Sequence, residues 1–193
     1  MRTFIALELS DEIRKKLGAL IQDLRTAVQF TPARPKWVRP ESIHLTLKFL
    51  GQIEETMVEP IGEVMKKAAL ETPPFNIKVR NLGVFPHERK PRVLWTGLSS
   101  GGEQTERLQQ KLESGLIPLG FEAEKRPFHP HLTLARIKAL RGTGPMMKVL
   151  ANHKRRFVGE NYIDKLALYK SELHPSGAVY TPLVEVPLTG EAK

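Results

Sequence analysis

The sequence contains no cysteine among its 193 residues, which excludes disulfide bonds, a thiol nucleophile and a cysteine-ligated zinc ion. It also lacks any apolar run approaching the roughly 20 residues that a membrane-spanning helix needs. In the first apolar stretch, Glu8 breaks the run after a few residues, which is unlike a signal peptide. We therefore expect a cytoplasmic protein that does not associate with membranes.

Acidic residues are in deficit, with 21 against 30 lysines and arginines, so the formal net charge is +9. A surplus of this size attracts polyanions such as nucleic acids through the release of counterions. The same surplus also fits a basic surface that has no partner, so charge alone leaves nucleic-acid binding open. Hydrophobic residues at 40% are typical of an ordinary globular protein and provide enough apolar material for a core.

Hydrophobic periodicity divides the chain into strand-like and helical segments. Helices are predicted after the N-cap Ser10, over 54–70 and 103–116, and in a short stretch after Gly144. Strands are predicted over 3–9, 43–50, 75–85, 92–98, 131–137, 164–172 and 179–186. The proline-rich segment around Pro35 is predicted to be a loop. This mixture favours an α+β fold.

A four-residue motif occurs twice, as His44-Leu45-Thr46-Leu47 and as His131-Leu132-Thr133-Leu134. Each copy lies in a strand-like segment with a helical segment before it. A repeat at nearly half the chain length predicts two related α+β lobes.

Alternation along a strand places the histidine and the threonine of each motif on one face and the leucines on the other. If the leucines enter the two cores, the polar faces can meet across a cleft. This gathers two imidazoles, which suit proton transfer near neutral pH, and two hydroxyls that can donate to phosphate oxygens. In-line displacement at phosphorus needs a base on one side and an acid on the other, which two opposed histidines can supply.

The segments His44–Gly51 and His129–Arg136 resemble the paired H-x-T-x signatures of the two-histidine phosphoesterases. Within that superfamily the chain is most similar to the bacterial and archaeal RNA 2′,3′-cyclic phosphodiesterases, historically called 2′-5′ RNA ligases. Trp37-Val38 and the stretch from Phe85-Pro86 to Trp95 extend the resemblance over nearly the whole chain.

The resemblance implies a bilobal α+β fold with two pseudo-symmetric lobes, each with an antiparallel sheet and helices, around a central cleft. Residues 1–193 would form one domain of two intertwined lobes, with the motifs at 44–47 and 131–134. No metal or other cofactor is expected.

By the same resemblance, His44 is the proton donor, His131 is the proton acceptor, and Thr46 and Thr133 bind the phosphate. The implied reaction opens 2′,3′-cyclic phosphate ends of RNA, among them tRNA fragments, to 2′-phosphomonoesters. Ligation of 2′-5′ ends would be its reverse on the same site. We expect the protein to be a monomer.

Arg136 matches a family arginine that helps to hold the phosphate, but strict alternation from His131 places it on the opposite face. Either the strand bulges near Ala135, or Arg136 is structural. His129, two residues before His131, shares its predicted face. His129, His131 and His44 could in principle form a three-histidine metal site. With no carboxylate in either motif, a supporting hydrogen-bond role for His129 is favoured.

Several residues near the motifs are candidates for contact with RNA. Trp37 and Phe128 could stack on a base, and Arg126 and His129 lie just before or within the second motif. The basic segments 89–92 and 153–157 could follow an RNA backbone or simply be solvated.

Two other functions use the same residues. One is a cyclic phosphodiesterase acting on a small nucleotide, such as an ADP-ribose cyclic phosphate. The other is a non-catalytic RNA-binding module, although the presence of both histidines and both threonines argues against an inactive enzyme.

Overall fold

The computed structural model describes residues 1–29, 31, 34–138, 143–174 and 177–191. Its helices are α1 (Asp11–Val28), α2 (Val58–Leu70), α3 (Gly102–Leu116) and α4 (Thr143–Ala151). Its strands are β1 (Arg2–Leu7), β2 (Pro35–Trp37), β3 (Leu45–Gln52), β4 (Phe75–Phe85), β5 (Val93–Ser100), β6 (His131–Ile137), β7 (Phe157–Ile163), β8 (Lys165–His174) and β9 (Gly177–Pro187). The predicted α+β class is confirmed. Within these described ranges, no helix combines the length and the apolar character that a membrane crossing requires.

Two antiparallel sheets hold the motif strands in equivalent places. Sheet A has the strand order β3-β1-β8-β9, and sheet B has the order β2-β6-β5-β4-β7. Apart from the short strand β2, each sheet is a row of four strands with a motif strand at one end. The motif strands β3 and β6 contact each other, so the two sheets meet along the repeated sequence.

The first helix begins as the sequence predicts. The Ser10 hydroxyl accepts a hydrogen bond from the Ile13 amide at 3.4 Å, and Asp11 and Glu12 lie at the positive end of the helix dipole. The apolar side chains on one face of α1 are buried: Ile13, Leu17, Leu20, Ile21, Leu24 and Val28. Helix α1 packs against β7, whereas α2 packs against β8 and β9, and α3 against β3 and β5.

The start of one strand was predicted wrongly, and two other strands were missed. His44 precedes β3 rather than lying inside it, because a 3-10 turn over Pro40–Ser42 delays the start of the strand to Leu45. The predicted loop around Pro35 contains β2, which pairs with the outer edge of β6. Strand β7 was not predicted; it is an edge strand beside β4, and its exposed alternate residues make it look like a polar loop.

Candidate active site

His44 lies in an aromatic pocket built by three strands of sheet A. Its imidazole stacks on Phe4 of β1 with ring centroids 4.5 Å apart, and it meets the edge of Tyr180 of β9 at 5.0 Å. Tyr169 of β8 lies near both rings, with its centroid 5.4 Å from that of Phe4 and 6.3 Å from that of His44. The ring of His44 is therefore fixed from several directions. The backbone of Ser42, two residues earlier, favours the protonated imidazole and so opposes part of the lowering of the His44 pKa.

His131 has a matching environment on sheet B. Its ring meets Phe85 edge-on at 5.0 Å and lies 6.3 Å from the ring of Trp95. Its Nδ1 lies 2.7 Å from the carbonyl oxygen of His129, again two residues earlier. When Nδ1–H donates to this carbonyl, Nε2 keeps its lone pair and can accept a proton.

His129 contacts its neighbour through the backbone, since its carbonyl oxygen lies 2.7 Å from Nδ1 of His131. Its ring packs against Trp95 at 5.1 Å and Phe85 at 5.6 Å, which places it beside the His131 ring. The indole of Trp95 lies over Gly83, where a Cβ would come within 2.2 Å of an indole carbon. Any side chain at position 83 would therefore displace Trp95 and disturb its packing against His129 and His131.

Both motif histidines are held as neutral imidazoles near pH 7. Burial lowers the pKa of His44 to about 4, and the nearby positive charge of Arg14 acts in the same direction. Burial also lowers the pKa of His131. A bound phosphate anion would favour the protonated form of either ring, so the site is suited to take up a proton together with its substrate.

A β-bulge follows the His-x-Thr sequence in each motif strand. In β6, Thr133 pairs with Trp95 and Ala135 with Leu94, so Leu134 is the extra residue. In β3, Thr46 pairs with Ala6 and Lys48 with Ile5, so the equivalent Leu47 is the extra residue. The repeat in the sequence therefore extends to a repeated irregularity of the backbone.

The bulge resolves the conflict over Arg136. Leu134 and Ala135 are both fully buried, and the alternation restarts after them, so Arg136 lies exposed on the same face as His131 and Thr133. On β3 the corresponding shift turns Lys48 away from the cleft. Its ammonium group makes a 2.6 Å ion pair with Glu113 of α3.

The two motif threonines each occupy the cleft face and are half-buried. Within the described part of the chain, no hydrogen bond occupies the hydroxyl of Thr46 or Thr133. Both hydroxyls can therefore donate to an incoming oxyanion.

Arginines from separate elements surround the Tyr180 edge of the site. Burial raises the pKa of Tyr180, and the charges of Arg136, Arg2 and Arg39 act in the opposite direction. The hydroxyl of Tyr180 therefore lies in a field of positive charge beside His44.

Of the residues predicted to contact RNA, some pack against the core and others are exposed. Trp37 pairs with Ala135 and packs against the core, so the structure does not bring it to the cleft face, whereas Lys36 pairs with Arg136 and is exposed. Phe128 also packs against the core. Arg126 is exposed and lines a groove beside β3. In the basic segment 153–157, Arg156 is ion-paired with Asp23 of α1 at 2.8 Å.

The aromatic and cationic surroundings of the histidines were missed at the sequence level. Phe4, Tyr169 and Tyr180 are far from His44 along the chain and carry no motif, and Arg14 looks like an ordinary helix-surface residue. Only the alternation along β1 pointed to one of these residues, because it places Phe4 on the opposite face of the strand from the core residues Ile5 and Leu7. Among the residues that the structure describes, no three histidine, aspartate or glutamate side chains are grouped closely enough to hold a metal ion.

The pH dependence of kcat/KM should reflect these low pKa values. Turnover that needs one protonated and one neutral imidazole is maximal between the two pKa values of the coupled pair, both of which lie below the usual 6.5. We therefore expect kcat/KM to peak on the acid side of pH 6.5 and to be already past its maximum at neutral pH.

Removing the charge at Arg14 tests this account. Arg14→Met should raise the pKa of His44, the lower of the pair, and move the acid limb of kcat/KM to higher pH, while Arg14→Lys should leave that limb in place. An unchanged acid limb in Arg14→Met would show that the charge at position 14 does not control the pair.

Two antiparallel sheets that meet along two His-x-Thr strands define the class of two-histidine phosphoesterases. The family model described as LigT like Phosphoesterase matches residues 7–95 and 97–180, which include both motifs. The chain belongs to this family of LigT-like phosphoesterases.

Similar proteins from three organisms support the assignment. The RNA 2′,3′-cyclic phosphodiesterase of Aeropyrum pernix is 36% identical over 84% of this chain and 92% of its own length. That of Methanothermobacter thermautotrophicus is 32% identical over 95% of this chain and 96% of its own. The crystal structure of a protein from Thermus thermophilus matches with a TM-score of 0.81 and 32% identity, and the match covers 100% of both chains.

Proposed function

We propose that this protein hydrolyses 2′,3′-cyclic phosphate ends of RNA to 2′-phosphomonoesters by metal-independent acid–base catalysis between His131 and His44. The observation that carries the proposal is the equivalent placement of the two histidines, His131 at the start of β6 and His44 directly before β3, on strands that contact each other. The names of the A. pernix and M. thermautotrophicus relatives support the substrate class.

The reaction is a single in-line displacement. His131 Nε2 takes a proton from water as the water oxygen bonds to phosphorus, and the bond from phosphorus to the 3′-oxygen breaks on the opposite side. His44 donates its proton to that departing oxygen, leaving the phosphate on the 2′-oxygen. Thr46, Thr133 and Arg136 hold the non-bridging oxygens through hydrogen bonds to their charge. Joining of 2′-5′ ends follows the same steps with a 5′-hydroxyl in place of water, so the 5′-oxygen bonds to phosphorus as the 3′-oxygen leaves.

The substrate class is tested by a panel. Wild-type protein is offered cyclic-phosphate oligoribonucleotides, including tRNA fragments, beside a cyclic mononucleotide and an ADP-ribose cyclic phosphate, and kcat/KM is compared. The proposal expects the RNA ends to be preferred. Preference for the ADP-ribose compound would identify a small-nucleotide enzyme, and RNA binding without any turnover would identify a binding module.

Turnover should survive EDTA and exhaustive dialysis. The two imidazoles already account for both proton transfers, and neither motif carries the carboxylate oxygen ligands that Mg²⁺ prefers. The measurement is the initial rate on a cyclic-phosphate RNA before and after chelation. A rate that collapses and returns on addition of one divalent metal would contradict the two-histidine mechanism.

Binding of RNA should weaken steeply with salt, because the net charge is +9 and Arg126 and Arg136 lie exposed near the second motif. Each neutralised phosphate contributes about −0.7 to the slope of log K against log salt on a single strand. The slope is measured by fluorescence anisotropy from low to high salt, with KM for a cyclic mononucleotide as the matched reference. A slope near zero would place the surplus charge away from the substrate path.

A further inference from the structure

Three arginines from separate elements are near enough to the Tyr180 side of the His44 pocket for their charges to act on the Tyr180 hydroxyl. Arg2 shares its strand face with Phe4, whose ring touches both His44 and Tyr180, the latter at 5.1 Å. Arg136 is turned to the cleft face by the bulge in β6. Arg39 donates a hydrogen bond from Nη2 to the carbonyl oxygen of Ala178, two residues before Tyr180, at 3.2 Å.

These three cations are not neutralised by the protein. No ion pair within the described ranges involves Arg2, Arg39 or Arg136, and all three are exposed. The charge of Arg14, which also lies near His44, is by contrast compensated by two carboxylates within 4 Å, those of Glu8 and Asp11. Like charges held together repel one another, so a group of uncompensated guanidinium groups favours a bound anion.

The guanidinium of Arg39 lies against the backbone of β9. A Cβ at Gly177 would be 3.5 Å from its Nε and Nη2, which is ordinary van der Waals contact. In the described part of the chain Arg39 donates one hydrogen bond, to the Ala178 carbonyl oxygen, so its other N–H groups are available to a ligand. Guanidinium groups recognise phosphate through paired hydrogen bonds, which a lysine cannot reproduce.

We propose that Arg2 and Arg39, with Arg136 on the side of the histidines, form a second phosphate subsite for the phosphate on the 5′ side of the terminal nucleotide. This inference rests on the proposed function, because it takes the reacting cyclic phosphate to lie between His44 and His131. Arg136 then stands between the two phosphates, and the other two arginines extend the site by one nucleotide. The subsite selects an RNA end over a free cyclic mononucleotide without contacting any base.

The test uses three substrates that differ only at the 5′ position. They are cytidine 2′,3′-cyclic phosphate with a 5′-hydroxyl, the same compound with a 5′-phosphate, and the dinucleotide CpC with a 2′,3′-cyclic phosphate. They are assayed at one ionic strength with the wild type, Arg2→Gln, Arg39→Gln and the double variant. Arg107→Gln, which removes an exposed charge on α3, is the matched control.

The wild type should process the 5′-phosphorylated compound and the dinucleotide with a higher kcat/KM than the 5′-hydroxyl compound. Each variant should lose about tenfold of that advantage, as expected for a lost hydrogen bond to a charged group, with the 5′-hydroxyl compound unaffected. Arg107→Gln should retain the full advantage. The Arg→Lys variants should recover only part of it.

Equal kcat/KM values for all three substrates in the wild type would overturn the subsite while leaving the phosphodiesterase intact. An advantage confined to the dinucleotide would also overturn it, because the added nucleoside and not the phosphate would then be recognised. If the wild type hydrolyses none of the three, the proposed function fails. The dissociation constants of cytidine 2′-phosphate with and without a 5′-phosphate, in wild type and double variant, then decide the subsite separately.

Discussion

Replacing either His44 or His131 by alanine should lower kcat/KM for a cyclic-phosphate RNA by about 10²- to 10⁴-fold, the range found for a lost general acid or base. His131 begins β6 and His44 directly precedes β3, these two strands contact each other, and aromatic neighbours hold both rings. Because the histidines act as a unit, the double variant should lose far less than the product of the single losses.

Controls separate chemistry from folding. His44→Asn and His131→Asn keep a polar side chain in each aromatic pocket and should be as inactive as the alanine variants, with thermal unfolding close to that of the wild type. His174→Ala, at the exposed end of β8, should leave kcat/KM unchanged. Thr46→Ala and Thr133→Ala should cost about tenfold, as for a lost hydrogen bond to a charged group. Near-normal turnover by His131→Ala would reject the site.

A substrate with sulfur in place of the 3′-oxygen should restore most of the activity of His44→Ala but not that of His131→Ala. A thiolate is a far better leaving group than an alkoxide, since a thiol has a pKa near 8.5, and it departs without a proton donor. A missing acid then no longer limits the rate, whereas a missing base still does. The measurement is the ratio of kcat/KM for the sulfur and oxygen substrates in each variant.

The reverse pattern has a distinct meaning. Rescue of His131→Ala instead of His44→Ala would exchange the roles of acid and base but keep the reaction class. Rescue of neither variant, with a wild type that still hydrolyses the sulfur substrate, would mean that neither histidine protonates the leaving group.

The parts of the fold that depend on local sequence were predictable. Helix α1 follows from the Ser10 cap and the spacing of its buried leucines, and both motif strands follow from alternation. The equivalence of His44 and His131 also follows from the repeat alone, since each repeat holds the same position in its sheet.

The features that alternation could not give are those set by a partner strand. Leu134 is an extra residue because its neighbours Thr133 and Ala135 pair with two consecutive residues of β5. The sequence of β6 alone does not predict this bulge. Strict alternation therefore gave the wrong face for Arg136. Strand β2 was hidden by Pro35, which is tolerated there because β2 is an edge strand.

The aromatic pocket of His44 could not be predicted for a related reason. Phe4, Tyr169 and Tyr180 come from opposite ends of the chain and meet only because β8 and β9 complete sheet A. No short motif joins them, and the lowered pKa of His44 follows from that long-range burial. The two motifs predicted the candidate histidines, but the electrostatic surroundings of those histidines required the sheet topology.

The position of the phosphate in the product tests the two-histidine mechanism directly. Wild-type protein in EDTA is given an oligoribonucleotide with a 2′,3′-cyclic phosphate end, and the product is identified by ³¹P NMR. We expect a 2′-phosphomonoester, because the in-line mechanism expels the 3′-oxygen, and no product with the His44→Ala, His131→Ala double variant over the same period. A 3′-phosphomonoester from the wild type, or an unchanged rate in the double variant, would contradict this mechanism.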